Sequence, residues 1–175
     1  MSDPSSVRLL CLDVDGVLTD GGILIDDRGH ETKRFHVHDG AGLRMWRSLG
    51  LEVAVITGRR GMALRHRLEE LGIRIVVSGA GDKVAAFEQI ARELGVHASQ
   101  AAMIGDDLPD LPLLRVCGYP VAVPDAVEEV KAVARYVTTR PGGGGAVRDA
   151  IEHLLHAMGR WDEAVARFVG GPSTA

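Results

Sequence analysis

Residues 7–20 read VRLLCLDVDGVLTD, and the fold turns on this stretch. Val7, Leu9, Leu10, Cys11 and Leu12 form a short, nearly unbroken apolar run, the pattern of a strand buried on both faces of a parallel sheet. The run stops at Asp13. Asp15 follows two residues later with Gly16 behind it, so both carboxylates share one side of an extended chain that then turns sharply. Open α/β sheets bind ligands at the carboxyl ends of their strands. Two acids this close need either a raised pKa on one of them or a cation between them. The chemistry that fits is metal-assisted: one carboxylate attacks phosphorus, the other handles the leaving group's proton, and magnesium neutralises the gathered oxygens. For D-x-D-G alone, a plain acidic turn is the competing reading.

The same pattern recurs further along the chain. LEVAVITG holds a second buried strand over 53–56 that runs into Thr57 and Gly58, and AAMIGDD holds a third over 101–104 that ends at Gly105, Asp106 and Asp107, with Asp110 close behind. Strands of this kind would bring Asp13, Asp15, Thr57 and Asp106 to one rim. Between them lie helices at 39–49, 62–71 and 83–94, the last capped by Asp82 and striped with Val84, Phe87, Ile90, Ala91 and Leu94. Lys83 sits in the first turn of that helix, where an acid suits the helix dipole better, and so hints at an anion nearby. Further signals are a strand at 119–123, a helix at 126–134 with Val127, Val130 and Val133 inward, and a last helix at 146–158. A small polar end at 170–175 is expected to be disordered. The stretch 21–38 contains Asp27, Arg28 and Gly29 between two short runs, which predicts a β-hairpin arm.

Composition sets the outer limits. The 175 residues are 46% hydrophobic and only 4% aromatic, which suits one domain, 1–175, with an aliphatic core. With 20 basic and 24 acidic residues well mixed and a net charge of −4, the broad basic face of a nucleic-acid binder is missing. Two cysteines, Cys11 and Cys117, read as reduced core thiols. The opening MSDPSS lacks a secretory layout and no apolar run reaches a membrane span, so a cytoplasmic protein without membrane contact is expected.

In order and spacing, DVDGVLTD, ITGR, Lys83 and GDDLPD resemble the four motifs of the haloacid dehalogenase-like phosphatases. The likeness is most specific to the capless branch that includes 3-deoxy-D-manno-octulosonate 8-phosphate phosphatases, and KRFHVHDGAG, GGGGAVRD and GRWDEA extend it from about Leu9 to about Ala164. It implies an α/β fold, a three-layer Rossmann-like parallel sheet with the hairpin projecting, no cap domain, and a C-terminal tail over 159–175. It also implies hydrolysis of 3-deoxy-D-manno-octulosonate 8-phosphate in lipopolysaccharide synthesis through an aspartyl phosphate on Asp13. Asp15 would serve as acid and then base. Thr57 would bond a phosphoryl oxygen, and Lys83 would offset charge. The Asp13 and Asp106 side chains and the Asp15 backbone carbonyl would hold Mg2+, with Asp107 supporting them.

Lys33, Gly58 and Arg59 are the candidates for binding the sugar acid, the fork of Arg59 being suited to a carboxylate. Members of this branch are homotetramers whose hairpins associate, and Ile23, Leu24, Ile25 and Phe35 supply apolar surface for such an arm. Arg160 is a further candidate for reaching a neighbour's site. His36 and His38 read as surface or substrate-facing groups rather than metal ligands.

Two departures bear on the substrate. Gly144 stands where octulosonate phosphatases usually carry arginine in the glycine run, and His38 where an arginine commonly precedes Asp-Gly. These leave a nonulosonate 9-phosphate or another phosphosugar open. Two other classes compete: a phosphate-accepting receiver module, against which Asp15 argues, and a non-catalytic assembly domain of the same fold, against which the intact motifs argue.

Overall fold

The computed structural model describes residues 3–170. Six parallel strands form the central sheet in the order β5-β4-β1-β6-β7-β8. They are β1 (Leu9–Leu12), β4 (Glu52–Thr57), β5 (Ile75–Ser78), β6 (Ala101–Gly105), β7 (Tyr119–Ala122) and β8 (Tyr136–Val137). The apolar run of β1 earns its central place, since all four residues are completely buried. Leu9 pairs with Glu52 on one side and with Ala101 on the other, so β4 and β6 begin level with β1 and run past its end to Thr57 and Gly105.

A separate two-stranded hairpin, β2 (Leu24–Ile25) and β3 (Glu31–Thr32), projects between β1 and α1 (Val37–Ser48). Helices flank the sheet in two groups. In one, α1 packs on α6 (Ala146–Ala157) and α7 (Trp161–Gly170); in the other, α3 (Lys83–Leu94) packs on α4 (Leu111–Val116), which meets α5 (Glu128–Val133). The remaining helix, α2 (Met62–Glu70), links β4 to β5. Asp82 caps α3 as its sequence predicts, with one carboxylate oxygen accepting from the N–H groups of Val84 at 2.9 Å and Ala85 at 3.0 Å. Phe87, Ile90 and Ala91 face the core. Cys11 and Cys117 are buried and unpaired with each other.

Three elements differ from expectation. Helix α1 starts at Val37, two residues early, because His36 caps it and its ring Nδ1 accepts from the His38 N–H at 3.3 Å. Helix α5 begins at Glu128 rather than 126. Much of the expected tail over 159–175 is helix α7, whose Ala164 is fully buried. The expectation of disorder at 170–175 falls, from residue 171 on, outside the described residues. Among those described, no helix is long and apolar enough to cross a membrane.

Beyond β8 the chain turns back over the β1 loop through the glycine run 142–145. A Cβ on Gly142 would lie 1.8 Å from the Gly16 carbonyl oxygen, and one on Gly143 would lie 2.4 Å from the Asp20 nitrogen. Only backbone fits there.

Candidate active site

Parallel pairing fixes the site. The Asp13 N–H donates to the Ile104 carbonyl at 3.1 Å, so the chain leaving β1 stays level with the end of β6. Asp106 stands one residue beyond β6. Gly16 turns the loop with φ +86°, and a Cβ there would lie 2.0 Å from an Asp106 carboxylate oxygen. A left-handed turn without a side chain is therefore what lets the two strand ends meet. Oxygens of Asp13, Asp106 and Asp110 gather within 4.8 Å of one another. From the first turn of α3, the Lys83 Nζ donates to Asp13 at 2.8 Å and to Asp110 at 2.6 Å.

This cluster is starved of positive charge. Burial, then the nearby Asp110 charge, pushes Asp13 up to about 6 despite Lys83. Burial, joined by Asp110, Asp13 and Asp107, pushes Asp106 up to about 7. For Lys83 burial disfavours the charge, but contact with Asp13 and Asp110 outweighs it and its pKa is raised. The Asp106 Oδ1 is buried and has no hydrogen-bond partner. Crowded hard oxygens, one of them orphaned, fit a small divalent cation such as magnesium.

The cluster lies at the bottom of a cleft of about 810 Å³ that Thr57, Gly58 and Arg59 also line. Thr57 is buried at the end of β4, and its hydroxyl oxygen accepts from the Arg59 N–H at 3.2 Å, leaving its hydrogen free to donate. Asp15 emerges beside Asp13, but its carboxylate turns outward. Lys33 of the hairpin donates to it, and Arg59 stands 3.5 Å away. Asp107 sits on the rim, where it caps its own short turn by accepting from the Leu108 N–H at 2.8 Å. Thus Asp13, Asp106 and Lys83 come together at the centre, while Asp15, Lys33 and Arg59 form a second group at the mouth.

Two residues received no role from the sequence. Asp110, merely one acid of GDDLPD there, is almost wholly buried, binds Lys83 and accepts from the Asp106 N–H at 3.1 Å. Its four-residue offset from Asp106, across a proline, was the available signal. Glu31 carried no motif, yet it contacts both Lys33 and Arg59.

Of the two departures, His38 has the Arg140 guanidinium 3.4 Å from its ring, while Arg140 also leans over Gly145, the residue after Gly144. Arg160 donates to the Leu49 carbonyl at 3.3 Å, at the far end of α1 from the cleft.

Residues 75–151 match the haloacid dehalogenase-like hydrolase family. The chain is 42% identical over 169 residues to a 3-deoxy-D-manno-octulosonate 8-phosphate phosphatase of Escherichia coli (strain B / BL21-DE3), covering 97% of this chain and 90% of that one. A solved structure of 3-deoxy-D-manno-octulosonate 8-phosphate phosphatase from Moraxella catarrhalis, in complex with magnesium ion, phosphate ion and a KDO molecule, superposes with a TM-score of 0.91 at 41% identity, covering 95% of each chain. The cobalt-bound form of the deoxy-D-mannose-octulosonate 8-phosphate phosphatase from Haemophilus influenzae gives a TM-score of 0.87 at 39% identity, covering 90% of this chain and 92% of that one.

Proposed function

Because the chain belongs to the haloacid dehalogenase-like hydrolases, we propose that it is a magnesium-dependent phosphatase acting on 3-deoxy-D-manno-octulosonate 8-phosphate. The observation that carries this reading is the meeting of Asp13, Asp106 and Asp110 oxygens within 4.8 Å, against Lys83, at the carboxyl ends of parallel strands. The substrate is that of the relatives sharing 42% of the sequence across nearly the whole chain.

The reaction runs in two displacements at phosphorus. Asp13 attacks, an Asp13 oxygen–phosphorus bond forms, and the bond from phosphorus to the sugar's C8 oxygen breaks as Asp15 gives that oxygen a proton. Water then attacks the phosphorus of the aspartyl phosphate. Asp15 takes the water's proton, the bond to Asp13 breaks, and phosphate leaves. Lys83 offsets charge on Asp13 and the moving phosphoryl group. Thr57 donates its free hydroxyl hydrogen to a phosphoryl oxygen, and Asp107 steadies the shell around Asp106.

The Asp13 and Asp106 side chains and the Asp15 carbonyl would hold magnesium, and the orphaned Asp106 Oδ1 supports that assignment. When bound, the ion supplies positive charge to the phosphoryl oxygens and the nucleophile. Lys33, Gly58 and Arg59 at the mouth face the sugar end, where the two cations meet its carboxylate.

Without a cap, the cleft of one chain lies open, and assembly would close it. The hairpin residues Ile23, Leu24 and Ile25 are 54%, 59% and 63% exposed, which fits burial between copies in a homotetramer. Phosphate release from eight- and nine-carbon phosphorylated ulosonic acids, with and without magnesium, tests the substrate. Asp13→Asn should lower turnover by about 10⁴-fold or more, and turnover near the wild-type rate in that variant would defeat the mechanism.

A further inference from the structure

Four charged side chains form a closed ring at the edge of the cleft, which two of them, Asp15 and Arg59, line. Lys33 donates to Asp15 and lies 2.9 Å from the Glu31 Oε1. Arg59 approaches Asp15 at 3.5 Å and donates to the same Glu31 Oε1 at 3.2 Å. We infer that Glu31 is a positioning residue for substrate recognition, its one oxygen holding Lys33 and Arg59 side by side so that both face the acidic group of the incoming sugar. The inference rests on the phosphosugar reading given above.

Strand alternation explains how the hairpin reaches the ring. Glu31 and Lys33 are two residues apart, so extended backbone presents both on the same side, toward Asp15 and Arg59, while the exposed Thr32 between them points away. Arg59 arrives from the opposite wall, two residues beyond Thr57. Two cations at this separation repel each other unless an anion lies between them. Asp15 lies on one side of the pair, but its proposed work is to pass a proton to and from oxygen, and it cannot also hold the cations fixed throughout. Glu31 lies on the other side and touches no reacting atom. It is free to stay ionised, and hydrogen bonds from Lys33 hold its carboxyl below the usual range.

The position suits recognition. Lys33 is largely covered, whereas Arg59 keeps 43% of its side chain exposed at the opening. A substrate with phosphorus at Asp13 extends its sugar end toward that opening. Two long flexible cations lose freedom on binding a ligand, and an acid that fixes them beforehand lowers that cost. Glu31 also ties the hairpin to the loop after β4, so the arm and the binding cations move as one body.

The test compares Glu31→Gln with wild type by steady-state kinetics on an acidic phosphosugar and on glucose 6-phosphate, which lacks a carboxylate. The KM for the acidic substrate should rise about fivefold or more relative to that for glucose 6-phosphate, with kcat changed less. In a Lys33→Met, Arg59→Met background, the same substitution should add no further change. An equal rise on both substrates, an undiminished effect in that background, or a lower KM for the acidic sugar would each overturn the inference. Wild-type phosphate release from the same sugar tests the phosphatase reading by itself, and an unchanged KM in Glu31→Gln would overturn the inference about Glu31 while leaving that result standing.

Discussion

At Asp106 burial and three neighbouring carboxylates push in one direction, and at Asp13 burial and Asp110 outweigh Lys83. Both carboxyls therefore hold protons more tightly in the folded chain, without metal, than in the unfolded one. The sign follows: their contribution to stability is fully present below about pH 4, the ordinary carboxylate range, and is lost as pH rises through about 6 and 7. A bound divalent cation reverses this by favouring the charged forms. Metal-stripped protein should thus gain more in melting temperature from added magnesium at pH 7.5 than at pH 5.5, with a difference on the order of 5 °C. Equal gains in thermal melts at the two pH values would contradict the assigned cation site. The strand-end acids were legible in the sequence because each motif is local. The role of Asp110 was not, since its partner Lys83 lies 27 positions away and only the packing of α3 against α4 joins them.

Helix α6 shows what one acid does for a whole element. Asp149, in its first turn, accepts from the Tyr136 hydroxyl, the Thr139 N–H and the Thr139 hydroxyl, each at 2.6 Å, and from the Arg140 N–H at 3.3 Å. It thereby fastens β8 and the start of the glycine run to α6. Burial opposes its charge, but these hydrogen bonds win and its pKa is lowered. Asp149→Ala should cost about 2 kcal/mol in urea unfolding, and Asp149→Asn should cost less. The long helices were visible from their apolar spacing and caps. By contrast β8 has two residues and α4 has six, too few to establish a period. Histidine is an unusual cap, which hid the start of α1, and the small polar residues after 170 drew attention away from the apolar stripe of α7.

For the molecule as a whole, the hairpin is where the proposed assembly would form, since Ile23, Leu24 and Ile25 stand exposed on it. Ile23→Ser combined with Ile25→Ser should shift the assembly to smaller species in light scattering and lower turnover on the acidic substrate about tenfold or more, since an open cleft admits water. An unchanged mass would place the contact elsewhere. The sheet and the hairpin could both be read from strand signals. Contacts between backbones could not, because no side chain announces them. The glycine run 142–145 looks like slack, yet Gly142 and Gly143 press against the loop carrying the proposed nucleophile and acid. A saturation library across this run should therefore recover almost nothing at 142 and 143, while 144, which needs no left-handed backbone but where a Cβ would lie 2.9 Å from the Pro141 ring, should accept substitutions only where Pro141 can shift. Drift in this stretch is thus policed by main chain meeting main chain, and the catalytic loop keeps its shape because its neighbour can grow no side chain.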